Sequence, residues 1–129
     1  MTVREARCAC GALVARASGD PVRVSACHCL HCKRRSGSAL SWTATYPADR
    51  VETEGAFTTY ARSSEEGYRS RHHFCPACGC TVFYEIDRRP GMVSIPAGAF
   101  ADPGFPPPTI EVYDERACPW LPPLGLTSE

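Results

Sequence analysis

The chain has no long hydrophobic run, no excess of either charge and no helical stripe, and each absence removes a class of protein. No window of its 129 residues offers the ~20 apolar residues a membrane helix needs. Fourteen basic side chains balance fourteen acidic ones, which argues against a sequence-independent grip on nucleic acid, because that needs a basic face. The opening residues, Met1-Thr2-Val3-Arg4-Glu5-Ala6-Arg7-Cys8, hold no apolar stretch of the kind a secretory signal uses. The expectation is a single cytoplasmic domain over residues 1–129, with no membrane or nucleic-acid partner.

What is present is period two. In Ser38 to Tyr46, Leu40, Trp42, Ala44 and Tyr46 fall on one face, and Ser41, Thr43 and Thr45 on the other. Val22, Val24 and Ala26 alternate with polar residues and lead directly into Cys27. Val82, Tyr84 and Ile86 alternate with Phe83 and Glu85, and Ile110 and Val112 with Thr109 and Glu111. Phe57 to Ala61, Tyr68 to Phe74 and Met92 to Ile95 also read as strands. Nine of the twelve prolines lie from Pro90 onward, which predicts short strands and stiff loops there. The fold class is mainly β.

Cysteine is the residue in surplus. Nine in 129 is enough for a disulfide scaffold, but the count is odd and no export signal accompanies it. Clustered thiols in a reducing compartment more often hold metal. The clusters are Cys8-Ala9-Cys10-Gly11, Cys27-His28-Cys29-Leu30-His31-Cys32 and Cys75-Pro76-Ala77-Cys78-Gly79-Cys80. Residues two apart in an extended chain point the same way, so Cys8 and Cys10 can converge on one ion. A C-x-x-C turn converges too, and Gly79 permits the left-handed backbone such a turn wants.

Cys8, Cys10, Cys75 and Cys78 supply the four ligands of a closed, structural zinc site. Cys27, Cys29 and Cys32 are then left as a local trio. Three protein ligands with an open position mark a catalytic or labile zinc, so two ions are expected in all. A second structural site, completed by Cys80, Cys118 or a histidine, stays open as the alternative. His28 reads as facing away from its flanking cysteines, as a shield or a surface residue. His31 is a possible substitute ligand, and His72-His73 a strand surface pair. Cys80 and Cys118 read as small core residues. Lys33-Arg34-Arg35 follows the trio and offers cations that can offset thiolate charge or hold a ligand carboxylate.

C-x-C-G near the start, C-H-C-x-x-C and then F-C-x-x-C-G resembles the glutathione-dependent formaldehyde-activating enzyme and centromere protein V family. Here the pattern reads Cys8 to Gly11, Cys27 to Cys32 with Arg35-Ser36-Gly37 after it, and Phe74 to Gly79. Ala97 to Pro103 and Trp120 are similar to the family's ending, while Cys80 and Thr109 depart from its pattern. The resemblance implies packed antiparallel sheets of the β-tent type. It implies structural zinc on Cys8, Cys10, Cys75 and Cys78, and catalytic or labile zinc on Cys27, Cys29 and Cys32. It further implies a carbon–sulfur lyase acting on a thiol adduct of the S-hydroxymethyl-glutathione kind. Lys33 and Arg34 are the candidates for holding glutathione carboxylates. Two other readings compete: a zinc-stabilised binding module without catalysis, and a thiol redox or metal-handling protein using Cys29 and Cys32. Against the redox reading, no helix in a βαβ pattern is expected after that pair.

Overall fold

The computed structural model describes residues 1–129. Its elements in chain order are β1 (Val3–Arg7), β2 (Val14–Ser18), β3 (Arg23–Cys27), α1 (Leu30–Ser36), β4 (Ser41–Pro47), β5 (Val51–Glu54) and β6 (Thr58–Ser63). They continue with β7 (Arg69–Phe74), β8 (Thr81–Ile86), β9 (Met92–Pro96), β10 (Ile110–Val112) and β11 (Thr127–Ser128). Two sheets result: β1-β2-β5, and eight strands in the order β11-β10-β3-β4-β9-β8-β7-β6. The mainly β class and packed sheets are as expected. Antiparallel pairing fails only at one edge, where β10 runs parallel to both β3 and β11. No helix is long and apolar enough to cross a membrane.

The core lies between the sheets. The small sheet contributes Ala6, Ala15 and Ala17 with Leu13 beside them, and the large one Val24, Ala44, Tyr46 and Ile95. Small residues on one side let the sheets approach, and large ones on the other fill the space. Each fully buried large side chain, such as Leu13, Tyr46 or Ile95, contributes about 1.5–3 kcal/mol. Phe100 stacks on Phe105 and Trp42 meets Phe105 edge-on, closing one end of this core.

β4 has the register its alternation predicts: Ala44 and Tyr46 join the core and Trp42 packs against it. The opposite, polar face is not on the surface, however. Ser41, Thr43 and Thr45 are as buried as the core face, because the large sheet curls around a cleft and Thr43 and Thr45 form its floor. That cleft is where the chemistry gathers.

Three strands, the two-residue β11 and one helix go beyond the sequence reading. β1 and β2 point alanines inward and β5 is largely exposed, so none carries the branched or aromatic pattern that marks a strand. α1 is only seven residues and buries none of them fully, so it shows no stripe. Its ends are well specified even so. The Cys29 thiol caps it by accepting from the Cys32 N–H, and Gly37 ends it in a left-handed conformation.

Candidate metal centre and cleft

The side chains of Cys8, Cys10, Cys75 and Cys78 bring four sulfurs within 4.8 Å of one another. Cys8 and Cys10 leave the end of β1, and Cys75 and Cys78 make the turn between β7 and β8. Gly79 closes that turn at φ 81°, its N–H on the Cys75 carbonyl at 2.8 Å. Cys10 Sγ lies 3.6 Å from both Cys8 Sγ and Cys75 Sγ. Four sulfurs at the usual Zn–S distance around one ion stand about 3.8 Å apart, so the donor set fits zinc. Backbone N–H groups of Leu13 and Ala77 reach Cys8 and Cys75 at 3.2 and 3.4 Å. Backbone N–H groups of Cys80 and then Cys10 pull the Cys78 thiol down to about 6. These contacts favour thiolates, the form a metal binds.

The sulfurs of Cys27, Cys29 and Cys32 also lie within 4.8 Å of one another, and no fourth cysteine, histidine or carboxylate joins them. Cys80 and Cys118 join neither group. β3 delivers Cys27, the link to α1 delivers Cys29, and the first turn of the helix delivers Cys32. Hydrogen bonds from Cys27 and then Cys32 hold the Cys29 thiol down to about 2. Cys27 is pushed up, first by its bond to Cys29 and then by Cys32 and burial. The set fits a soft cation with a position left for something else.

His28 corrects the sequence reading: it is 1% exposed, and its Nε2 meets Glu111 Oε2 of β10 at 2.8 Å. Placed between Cys27 and Cys29, it ties the trio's backbone to the parallel strand β10. Glu111 was not singled out from the sequence, because a glutamate on a three-residue strand reads as solvent-facing. His31 points into the cleft instead of joining the trio, its ring 5.3 Å from that of His72. His72 stacks on Tyr84 at 4.9 Å, and its Nε2 meets the Ser70 hydroxyl at 3.1 Å. Burial, then the charges of Arg35 and His31, push His72 down to about 3, so it stays neutral. His73 lies on the other face of the sheet, hydrogen-bonded to Thr59 and Glu85. Neither is a plain surface histidine.

The cleft is partly open to solvent. The trio, His31, His72 and Tyr84 form one end. Tyr84 is buried at the cleft wall, its hydroxyl shares a hydrogen bond with Thr43 Oγ1 at 2.8 Å, and burial pushes it up to about 12. Beside the trio, where Val112 pairs with Cys27, the β6–β7 turn meets the segment after β10. Tyr113 donates to Glu66 at 2.5 Å, and Arg116 and Arg88 approach Glu65 and Glu66 at 3.6 and 3.7 Å. Tyr113 holds a left-handed backbone at φ 54°, a strained conformation for an aromatic residue.

Lys33 and Arg34, the expected carboxylate holders, do not line this cleft. Lys33 Nζ is bound to the Arg116 carbonyl at 2.5 Å, and Arg34 is exposed and lines an adjoining recess that shares His31, Arg35 and His72 with the cleft. The cation of that run that enters the cleft is Arg35. The helix following Cys29 also departs from the sequence reading, but β4 returns antiparallel to β3, so no βαβ unit forms.

The family model for the glutathione-dependent formaldehyde-activating enzyme matches residues 3–116. A crystal structure of a Rhodobacter sphaeroides protein is similar in fold, with a TM-score of 0.59 and 21% identity. The similarity covers 80% of this chain and 91% of that one. No curated protein matches the chain.

Proposed function

The chain belongs to the glutathione-dependent formaldehyde-activating enzyme family, and from that premise we propose that it is a zinc-dependent carbon–sulfur lyase acting on a thiol adduct of the glutathione class. The observation that carries this reading is the three-sulfur set at the head of a polar cleft, lacking any fourth protein ligand. Cys8, Cys10, Cys75 and Cys78 would hold the structural zinc, and Cys27, Cys29 and Cys32 the catalytic or labile one. A zinc ion with an open position supplies affinity for sulfur and favours the thiolate form of the arriving thiol.

The remaining work falls to the chain. The His28–Glu111 pair holds the backbone between Cys27 and Cys29 and so fixes where the three sulfurs point. In the forming direction the ligand's sulfur makes a bond to a carbonyl carbon, and the carbonyl oxygen takes up a proton to become a hydroxyl. In the reverse direction that hydroxyl gives up its proton as the C–S bond breaks, releasing the aldehyde and the thiolate. Tyr84 Oη, protonated at neutral pH and linked to Thr43, is the donor we assign to that oxygen.

The test is calorimetry on the zinc-loaded protein with glutathione and with S-methylglutathione. Glutathione should bind with release of a proton, and the S-methyl form far more weakly, since it cannot become a thiolate. A Cys29→Ser variant should stay folded, keep one zinc and lose thiol binding. Equal affinity for the two ligands would overturn the lyase reading in favour of a binding module with two structural sites. A single bound ion beside a titratable Cys29–Cys32 dithiol would favour redox chemistry.

A further inference from the structure

The chain carries no net charge, yet its cleft does. Five arginines line it (Arg23, Arg35, Arg62, Arg88 and Arg89) against two carboxylates, Glu66 and Glu129. Arg23 and Arg89 are both paired to Glu129, at 2.5 and 3.1 Å, and Arg88 approaches Glu66. Arg35 and Arg62 make no ion pair. Both stand at the end of the cleft nearest the trio, where their charges act on His31 and His72. A trio of thiolates around one divalent ion would bear a single negative charge, short of the excess the arginines supply.

Arg35 has a more specific property. It follows Cys32 by three residues, so both lie on one face of α1. Its guanidinium carbon lies over the Tyr84 ring, 5.0 Å from the ring centre. Its Nε and Nη2 are shielded from solvent and have no hydrogen-bond partner. Those two nitrogens form one edge of the guanidinium, the edge that grips a carboxylate with two parallel bonds. Buried donors left unpaired are costly, and a ligand that pairs them recovers that cost.

We propose that Arg35, supported by Arg62 from β6, is the seat for a carboxylate carried by the thiol ligand, so that the cleft selects acidic thiols over neutral or basic ones. This rests on the reading of the trio as the sulfur site. The chemistry of the seat is that of a carboxylate a few bonds from the sulfur, because α1 sets Arg35 one turn from Cys32.

Three small thiols with the same two-methylene spacer test it: 3-mercaptopropionate, 2-mercaptoethanol and cysteamine, titrated calorimetrically into the zinc-loaded protein. Ammonium makes the cysteamine thiol the most acidic, so sulfur affinity alone would rank cysteamine first. The seat predicts the reverse, with the carboxylate roughly 10–100-fold ahead of the alcohol, the worth of a charge-assisted bidentate bond. R35Q should erase that preference while binding 2-mercaptoethanol as before, and R62Q should reduce it. Equal affinities, or a preference that survives in R35Q, would overturn the seat and leave the trio's role standing. If R35Q does not fold, an undiminished preference in R62Q would overturn it instead. If no thiol binds, the reading of the trio fails, and a second arm decides the seat alone. Propionate, but not propanol or propylammonium at matched ionic strength, should raise the melting temperature of the parent and not of R35Q. No difference between those additives would overturn it.

Discussion

Replacing Cys75 by serine should cost more stability than any other single-atom change in the chain. The residue is 1% exposed and lies in the core as well as in the four-sulfur group, so the change removes a ligand where water cannot substitute for it. The group joins Cys10 to Cys75 across 65 residues. A cross-link over that span is worth about 4 kcal/mol by chain entropy alone, against a total of about 5–15 kcal/mol for an ordinary domain. Structural zinc sites in small peptides are worth an apparent ~10–16 kcal/mol, which sets the upper end. Even the lower figure lowers the melting temperature by roughly 15 °C for a chain of this size, and the upper one leaves no folded protein. The assay pairs a thermal melt with elemental analysis of bound zinc, using Cys80→Ser as control. Cys80 follows the same turn but belongs to neither group, so its variant should keep both ions and melt close to the parent. A soluble Cys75→Ser protein with both ions and an unshifted melt would refute the structural assignment.

Glu111→Ala should destabilise the fold by about 1–3 kcal/mol, since it leaves His28 buried without its partner. It should also weaken zinc at the trio by roughly 10–100-fold, read by competition with a chromophoric chelator, while zinc in the four-sulfur group is unaffected. Trp42→Ala should cost above ~1 kcal/mol by denaturant melt, because the indole packs on Phe105 and donates to the Pro106 carbonyl at 3.3 Å. His72 gives a pH signature. Its folded value near 3 lies below the unfolded ~6.5, so the stability it contributes is full above pH 6.5 and is lost as pH falls toward 3. The loss reaches about 2 kcal/mol by pH 5. His72→Phe should lose correspondingly less between pH 7 and 5 than the parent in paired denaturant melts, and equal losses would refute the assignment.

The sequence was most legible where side chains are large or chemically singular. Alternation over Leu40 to Tyr46 set the register of β4, and cysteine spacing anticipated both sulfur groups down to their members. Alternation could not say that a polar face would be enclosed. Period two separates two faces but carries no information on curvature, so Thr43 and Thr45 looked solvent-facing when they are a cleft floor. Arg35 was indistinguishable from Lys33 and Arg34 until a two-turn helix gave each a direction. The His28–Glu111 contact spans 83 residues and two parallel strands, a pairing no local pattern encodes.

The hydroxyl floor has a thermodynamic consequence. Ser25, Thr43, Thr45, Ser70 and Ser94 all line the cleft, and each can turn its proton to donate or to accept. Such a surface keeps ordered water when empty, and a ligand gains there only by replacing those waters group for group. Most of the accessible surface of the cleft is nevertheless carbon, so a ligand that fills it buries apolar area as well. Occupancy should therefore combine the enthalpy of the replaced hydrogen bonds with the negative heat-capacity change that apolar burial brings. Fatty or aromatic thiols, however avid their sulfur, would strand the waters' former partners and leave the serines and threonines unpaired.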